Sequence, residues 1–168
     1  MWKSRHAWFK KPTACLLTPY DLTLWIDIDC EVCGSLEPIF DLSSHTFDLA
    51  IAREDFHKEW RPLYNSGVML FRKNSPFLTQ WHDRCRIENG IAMGDQDVLT
   101  QLIVEGSIDV HEIPPNYNWL MYAGVHPGIQ IAHWVSDWGK DYIRKFGGLH
   151  TLFEKSFAAS TTAKHDKN

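Results

Sequence analysis

Apolar runs in this chain are short and break off sharply at polar residues. The clearest is Leu22-Thr23-Leu24-Trp25-Ile26, which runs into Asp27-Ile28-Asp29. Large and β-branched residues predict a strand over Leu22–Asp29. On a strand, positions i and i+2 share a face, so the two carboxylates converge on one point if the strand frays at Asp27. Before it, Ser4–Leu17 reads as a helix with Ser4 as N-cap, which Pro12 kinks or splits. After it come a helical turn at Leu36–Phe40, a strand at Phe47–Ala52 and a charged loop at Glu54–Trp60. The polar turn Asn65-Ser66-Gly67 then leads into an apolar strand ending near Lys73.

Asn74-Ser75-Pro76 predicts a helix start with Pro in the first turn. The helix runs to about Glu88, with Phe77, Trp81 and Cys85 on one face. Gly94-Asp95-Gln96-Asp97 opens a further helix that Gly106 ends, and Asp95 by itself reads as an N-cap. Strands follow at Ile108–Ile113 and Ile129–Trp134, separated by the irregular Pro114–Trp119. A last helix covers Asp137–Phe146, and Gly147-Gly148 stops it. Residues 1–156 are thus expected to form one α/β domain, and the Ala/Ser/Thr/Lys-rich residues 157–168 a disordered tail.

Composition narrows the function. The chain has 168 residues, of which 44% are hydrophobic and 23% charged, as in a globular protein able to bury a core. A net charge of −4 with no basic run argues against nucleic acid. Eight Trp lean toward carbohydrate, since indole faces stack on sugar rings. No apolar run reaches transmembrane length. The four Cys include Cys30-x-x-Cys33, but no second pair completes a zinc site, so the thiols read as small buried or loop residues in a reducing compartment. With no apolar leader visible, a cytoplasmic protein is expected.

Candidate chemistry sits where apolar elements end. Asp27 and Asp29 repel each other unless a cation lies between them, and hard divalent ions take such oxygens. His133 closes the Ile129–Trp134 run, and imidazole added to carboxylates suits Mn²⁺ better than Mg²⁺. Asp95-Gln96-Asp97 stands at a helix start. In open α/β sheets such ends gather on one rim.

The ordered set resembles the GT-A nucleotide-sugar glycosyltransferases, and within them glycosyltransferase family 8, the glycogenin and bacterial galactosyltransferase group. Asp27-Ile28-Asp29 resembles the family's D-x-D. Ser4-Arg5 and Lys10-Lys11 resemble its basic upstream helix, and Asn65-Ser66-Gly67-Val68 its N-[SAT]-G-[VM] strand. Asp95-Gln96-Asp97 resembles its D-Q-D helix start, His133 its late metal-binding His, and Gly139-Lys140 its phosphate-binding Gly and Lys. The resemblance runs from about Ser4 to Lys145.

It implies a metal-dependent transferase that moves a sugar from a nucleotide-diphosphate donor, a UDP-sugar, to a hydroxyl acceptor with retention. Asp27, Asp29 and His133 would hold Mn²⁺ or Mg²⁺. Asp95 and Gln96 would be catalytic, and Asn65, Asp97 and Lys140 would bind substrate. Trp119, Trp134 and Trp138 are candidates for stacking on donor or acceptor. Two departures are visible. Gly139 and Lys140 lie later than the family pattern places them. Only one helix precedes the D-x-D strand where the family has strand–helix–strand units, so the expected fold is a GT-A (Rossmann-like) fold lacking much of the N-terminal nucleotide-binding half. Leu22–Asp29 then becomes an edge strand.

Two other readings stand beside this one. A truncated, catalytically inactive transferase domain would act as a binding module. A haloacid-dehalogenase-like phosphatase would use Asp27 as nucleophile and Asp29 as acid/base, but that pattern wants Thr or Val where Glu31 stands and a second Asp where Leu99 stands.

Overall fold

A computed structural model describes residues 5–54, 64–88 and 90–151. The elements run α1 (Arg5–Trp8), α2 (Lys11–Leu16), β1 (Leu22–Ile26), β2 (Cys30–Val32), α3 (Glu37–Phe40), β3 (Leu49–Arg53), β4 (Tyr64–Arg72), α4 (Pro76–Glu88), α5 (Asp95–Val104), β5 (Val110–Ile113), β6 (Trp119–Leu120), β7 (Ile131–His133) and α6 (Ser136–Phe146). One four-stranded sheet has the order β1-β4-β3-β5. Its β1/β4 and β4/β3 pairs are antiparallel, and its β3/β5 pair is parallel. A three-stranded sheet, β2-β7-β6, lies against the end of β1 that carries the aspartates.

The central strands β3 and β4 are buried on both faces, which is why they read as continuous apolar runs rather than alternating ones. Period-two alternation still sorts their side chains. Leu49, Ile51, Met69 and Phe71 join Phe77, Leu78, Trp81, Leu99 and Leu102 from α4 and α5 in one core. Ala50, Ala52, Val68 and Leu70 face a second core with Ile39, Tyr117 and Ile131. Each large side chain so buried contributes about 1.5–3 kcal/mol.

A third cluster, with Trp134 stacked on Tyr142, seats α6 on β7. Gly147, at φ 77°, adopts the left-handed conformation that ends that helix. The Glu31 carboxylate ties β2 to the same region, accepting from the Leu149 backbone N–H at 2.8 Å, His150 at 2.8 Å and the Trp134 indole at 3.2 Å. Burial opposes its ionisation, but these donors, His150 and Leu149 foremost, hold it below the usual carboxylate range.

Several expectations meet their structural counterparts here. Pro12 divides the first helix: α1 ends at Trp8, and α2 begins at Lys11 with Pro12 in its first turn. β1 is an edge of its sheet among the described residues, yet all five of its residues are partly buried. The strand stops at Ile26 rather than Asp29, because the chain turns at Asp27–Asp29 into β2. Asn65-Ser66-Gly67 is not a turn but the buried first part of β4, its polar groups satisfied by other buried polar side chains. Gly94, not Asp95, caps α5. The Ser4 cap, most of the 54–60 loop and the 157–168 tail lie outside the described residues, as do 152–156 of the expected 1–156 domain. Among the described residues no helix is long and apolar enough to cross a membrane.

Candidate functional site

Antiparallel pairing of β1 with β4 sets the first half of the site. The Asp27 backbone N–H donates to Gly67 O at 2.8 Å, which extends the ladder one residue past Ile26. Asp27 therefore sits beside Ser66 and Gly67. Its Oδ2 accepts from Lys11 Nζ at 2.8 Å and its Oδ1 from the Trp25 indole at 2.7 Å. The turn then carries Asp29 to β7, where its backbone oxygen accepts from the Trp134 N–H at 2.8 Å. The Asp29 carboxylate faces His133 Nε2 and Lys140 Nζ, each at 3.3 Å. The two aspartates thus line one cavity but answer to different cations. The i, i+2 rule for strands does not hold once the chain has left the strand.

A relay of buried amides orients the second half. His133 Nδ1 lies 2.8 Å from Asn118 Oδ1. The Asn118 amide nitrogen donates to both Asn65 O and Asn65 Oδ1, so its oxygen is the acceptor toward His133 and Nδ1 carries the proton. That leaves Nε2 as the ring nitrogen facing Asp29. Asn65 Nδ2 donates to Glu54 Oε2 at 3.2 Å, Gln96 Nε2 donates to the same oxygen at 3.2 Å, and the Tyr122 hydroxyl donates to Glu54 Oε1 at 3.0 Å. Gln96 Oε1 accepts the Ser66 N–H at 3.1 Å. Gly67 lets this cluster close: a Cβ there would stand 2.2 Å from His133 Cε1 and 2.8 Å from Asn65 Oδ1.

The first turn of α5 supplies Asp95, Gln96 and Asp97, an acidic segment that the helix dipole favours. Asp97 accepts the Gly94 N–H at 2.8 Å. Asp95 is buried and lies 3.6 Å from Lys11 Nζ, and Ser66 Oγ donates to it at 3.3 Å. Burial would lower the Lys11 pKa, but Asp95 and Asp27 more than offset it and hold the ammonium above its ordinary value. Burial, with repulsion from Asp27, pushes the Asp95 carboxyl up against the pull of Lys11. Burial would also raise Asp29, but His133 and then Lys140 outweigh it and hold that carboxyl at about 2.

These residues line a cavity of about 420 Å³. All eight candidates read from the sequence, Asp27, Asp29, Asn65, Asp95, Gln96, Asp97, His133 and Lys140, are on its wall. Trp119, Trp134 and Trp138 are not; Trp134 is core, and Trp8 is the indole that lines the cavity. The sequence reading missed Glu54, Tyr122 and Asn118, and named Lys11 only as part of a basic helix. Glu54 was hidden in a charged run, and its signal is that it stands one residue, Arg53, past the apolar run Leu49–Ala52, near a strand end as Asp27 is. Among the described residues, five carboxylates and two ammonium groups line the cavity, a balance that favours a further cation beside an anionic ligand.

The donors available fit a divalent ion. Carboxylate oxygen and imidazole nitrogen suit Mn²⁺, and Asn118 fixes the imidazole from behind, as outer partners of metal-ligating His do. Among the described residues, the one set of three potential ligand groups drawn together is Asp29, Cys30 and His133, with ligand atoms all within 4.8 Å of one another. Asp27 stands outside that set, held by Lys11 and Trp25.

No family model and no curated sequence matches the chain. Solved structures do resemble it. The glycosyltransferase GlyE of Streptococcus pneumoniae TIGR4 matches with a TM-score of 0.61 and 22% identity, over 78% of this chain and 36% of that one. A glycosyltransferase involved in glycosylation of the major capsid of PBCV-1 matches with a TM-score of 0.63 and 14% identity, over 83% and 77%. An active-site mutant of LgtC matches with a TM-score of 0.51 and 16% identity, over 81% and 64%. The chain spans little more than a third of the length of GlyE. Its mixed α/β architecture, with the acidic cavity at the end of β1 and the start of β4, is the GT-A fold of the glycosyltransferases.

Proposed function

We propose that the cavity binds a nucleoside-diphosphate sugar, a UDP-sugar, together with a divalent cation, and transfers the sugar to a hydroxyl acceptor with retention. One observation carries this reading: among the described residues, five carboxylates against two ammonium groups around a cavity of about 420 Å³, on a glycosyltransferase fold. A diphosphate enters such a cavity only with a cation. Asp29 and His133, with Asp27 beside them, would hold Mn²⁺ or Mg²⁺, and when bound the ion stabilises charge on the leaving diphosphate. Lys140, in the second turn of α6, adds a positive charge for the same phosphates.

Asn65 and Asp97 bind the donor, and Asp95 lies along the sugar. The sugar–phosphate C–O bond breaks, the acceptor oxygen bonds to the same carbon, and the acceptor proton passes to the departing diphosphate. Gln96 faces this carbon. Its amide is a poor nucleophile, and its hydrogen bonds to Glu54 and Ser66 fix it as a positioning dipole for an oxocarbenium-like centre. Release of UDP from a panel of UDP-sugars with Mn²⁺ tests the activity. Gln96→Ala is expected to lower kcat roughly 10–100-fold while KM stays within about threefold. An unchanged kcat removes Gln96 from the reacting centre, and no UDP release with any donor, cation or hydroxyl acceptor contradicts catalysis.

A second reading is a module that binds donor without turning it over, motivated by β1 being a sheet edge among the described residues. Cation-dependent donor binding without UDP release distinguishes it. The dehalogenase-type phosphatase is set aside by the glycosyltransferase fold.

A further inference from the structure

Glu54 is the cavity carboxylate to which the reading above gives no ligand. Of the five carboxylates on the wall among the described residues, Asp27, Asp29 and Asp95 are paired with Lys11, His133 or Lys140, and Asp97 bonds the Gly94 N–H at the start of α5. Glu54 is only 5% exposed, yet its partners among the described residues are three neutral donors. Asn65 and Gln96 both donate to Oε2, whereas the Tyr122 hydroxyl alone donates to Oε1. A carboxylate oxygen has about two lone-pair positions, so Oε2 is filled and Oε1 keeps one place. A carboxylate is costly to bury unless its oxygens are answered. The backbone puts Glu54 there: the β3/β4 register shifts between Ile51 and Arg53, and bulges of this kind re-aim side chains beside active sites. Along the hydrogen-bonded series His133–Asn118–Asn65–Glu54, it stands two amide side chains from the imidazole of the cation end, and one bond from Gln96.

We propose that Glu54 and Tyr122 form the acceptor subsite, and that the acceptor is itself a saccharide. One of its hydroxyls donates to Glu54 Oε1, and the oxygen of a neighbouring hydroxyl attacks at the carbon beside Gln96. The proposal rests on the transferase reading above. It adds no covalent step: the bonds made and broken and the course of the acceptor proton are unchanged, and Glu54 binds without taking a proton. Tyr122 supplies the second half of the subsite. Its ring is 42% exposed and lines the cavity, and its hydroxyl is tied to Glu54. A pyranose offers an apolar C–H face to such a ring and hydroxyl donors to the carboxylate beside it, which is how a few placed polar groups and an aromatic wall orient a ligand. An acceptor with a single hydroxyl, such as a serine side chain or a lipid alcohol, spends that group on the reaction and leaves Oε1 unanswered.

The test is UDP release by the whole chain from UDP-sugars with Mn²⁺, with a panel of methyl pyranosides, a serine- and tyrosine-containing peptide and a long-chain alcohol as acceptors. Pyranosides are expected to be used and the single-hydroxyl acceptors not. Glu54→Gln keeps an amide oxygen toward Asn65 and Gln96 but loses the charge, and is expected to raise the pyranoside KM roughly 10–100-fold, as loss of a hydrogen bond to a charged group does. Donor affinity by calorimetry is expected to change less than about threefold, a split that loss of packing alone would not give. Tyr122→Ala raises the acceptor KM by a similar factor, and Tyr122→Phe, which keeps the ring, by less. Should Glu54→Gln fail to fold, deoxy pyranosides read the same bond in wild-type protein: removing the hydroxyl next to the reacting one weakens binding by the same roughly 10–100-fold. An acceptor KM unmoved in Glu54→Gln, no penalty for any deoxy pyranoside, or transfer to the peptide or alcohol but to no pyranoside overturns the subsite and leaves the transferase reading standing. UDP release with none of the acceptors, water included, overturns both.

Discussion

Asp29→Asn is expected to abolish cation binding, lowering affinity by at least about 100-fold, and with it the cation-dependent part of donor binding. The same substitution exposes an electrostatic contribution that needs no metal. The Asp29 carboxyl sits at about 2 against an ordinary value of 3.8, because His133 and Lys140 more than offset its burial. A carboxyl depressed on folding stabilises the protein fully above its unfolded value and loses that contribution as pH falls through the folded one. The difference corresponds to about 2 kcal/mol. In chelator-treated protein, wild type is therefore expected to be more stable than Asp29→Asn by about that much at pH 5.5, and the gap closes between pH 3.8 and about 2. Urea unfolding at the two ends of that window checks it. Equal stability at pH 5.5, or a gap that widens with acid, contradicts the pairing; unchanged cation affinity removes Asp29 from the centre.

Gly67→Ala is the second large effect expected, and it reaches the centre through packing alone. The added methyl would lie 2.2 Å from His133 Cε1, 2.5 Å from its Nδ1 and 2.8 Å from Asn65 Oδ1. Neither neighbour can give way freely, since Asn118 holds both. Overpacking of this kind costs about 1–3 kcal/mol. Displacing the ring from Asn118 also loses the tautomer control that outer partners give, worth about 10–100-fold in metal affinity. Gly90→Ala, where a Cβ meets nothing within 4 Å, is the matched control. Thermal melting and metal titration of the two variants are compared. A Gly67→Ala protein indistinguishable from Gly90→Ala in both means that the His133–Asn65 packing does not hold the centre together.

Much of the fold is legible in the sequence where an apolar run has chemical punctuation at both ends. Pro76 opens α4, Gly94 opens α5 and Gly106 follows its end, and Gly147 ends α6; these elements appear close to their expected bounds. β2 and β6 are not legible. At three and two residues they are too short to carry a period, and β2 hides behind the aspartates. Asn65-Ser66-Gly67 reads locally as a turn because its propensities are those of a turn. Tertiary contacts override them: Glu54, Asn118 and Gln96 come from distant segments and partner the Asn65 side chain and the Ser66 N–H, while Lys11 and Asp95 partner the Ser66 hydroxyl. The same distance hides Glu54 and Asn118 from sequence reasoning. What distinguishes them is position relative to β3 and β7, which only the folded chain brings together. The aspartates mislead in a subtler way. Their spacing is right for one face of a strand, but the strand ends one residue too early for the rule to govern both.

The central claim is that donor and cation share this cavity. Calorimetric titration of a UDP-sugar in chelator and at saturating Mn²⁺ or Mg²⁺ tests it directly. The cation is expected to raise donor affinity at least about tenfold, and by linkage the donor raises cation affinity by the same factor. A donor affinity equal with and without cation, or no donor binding in either condition, would contradict the account.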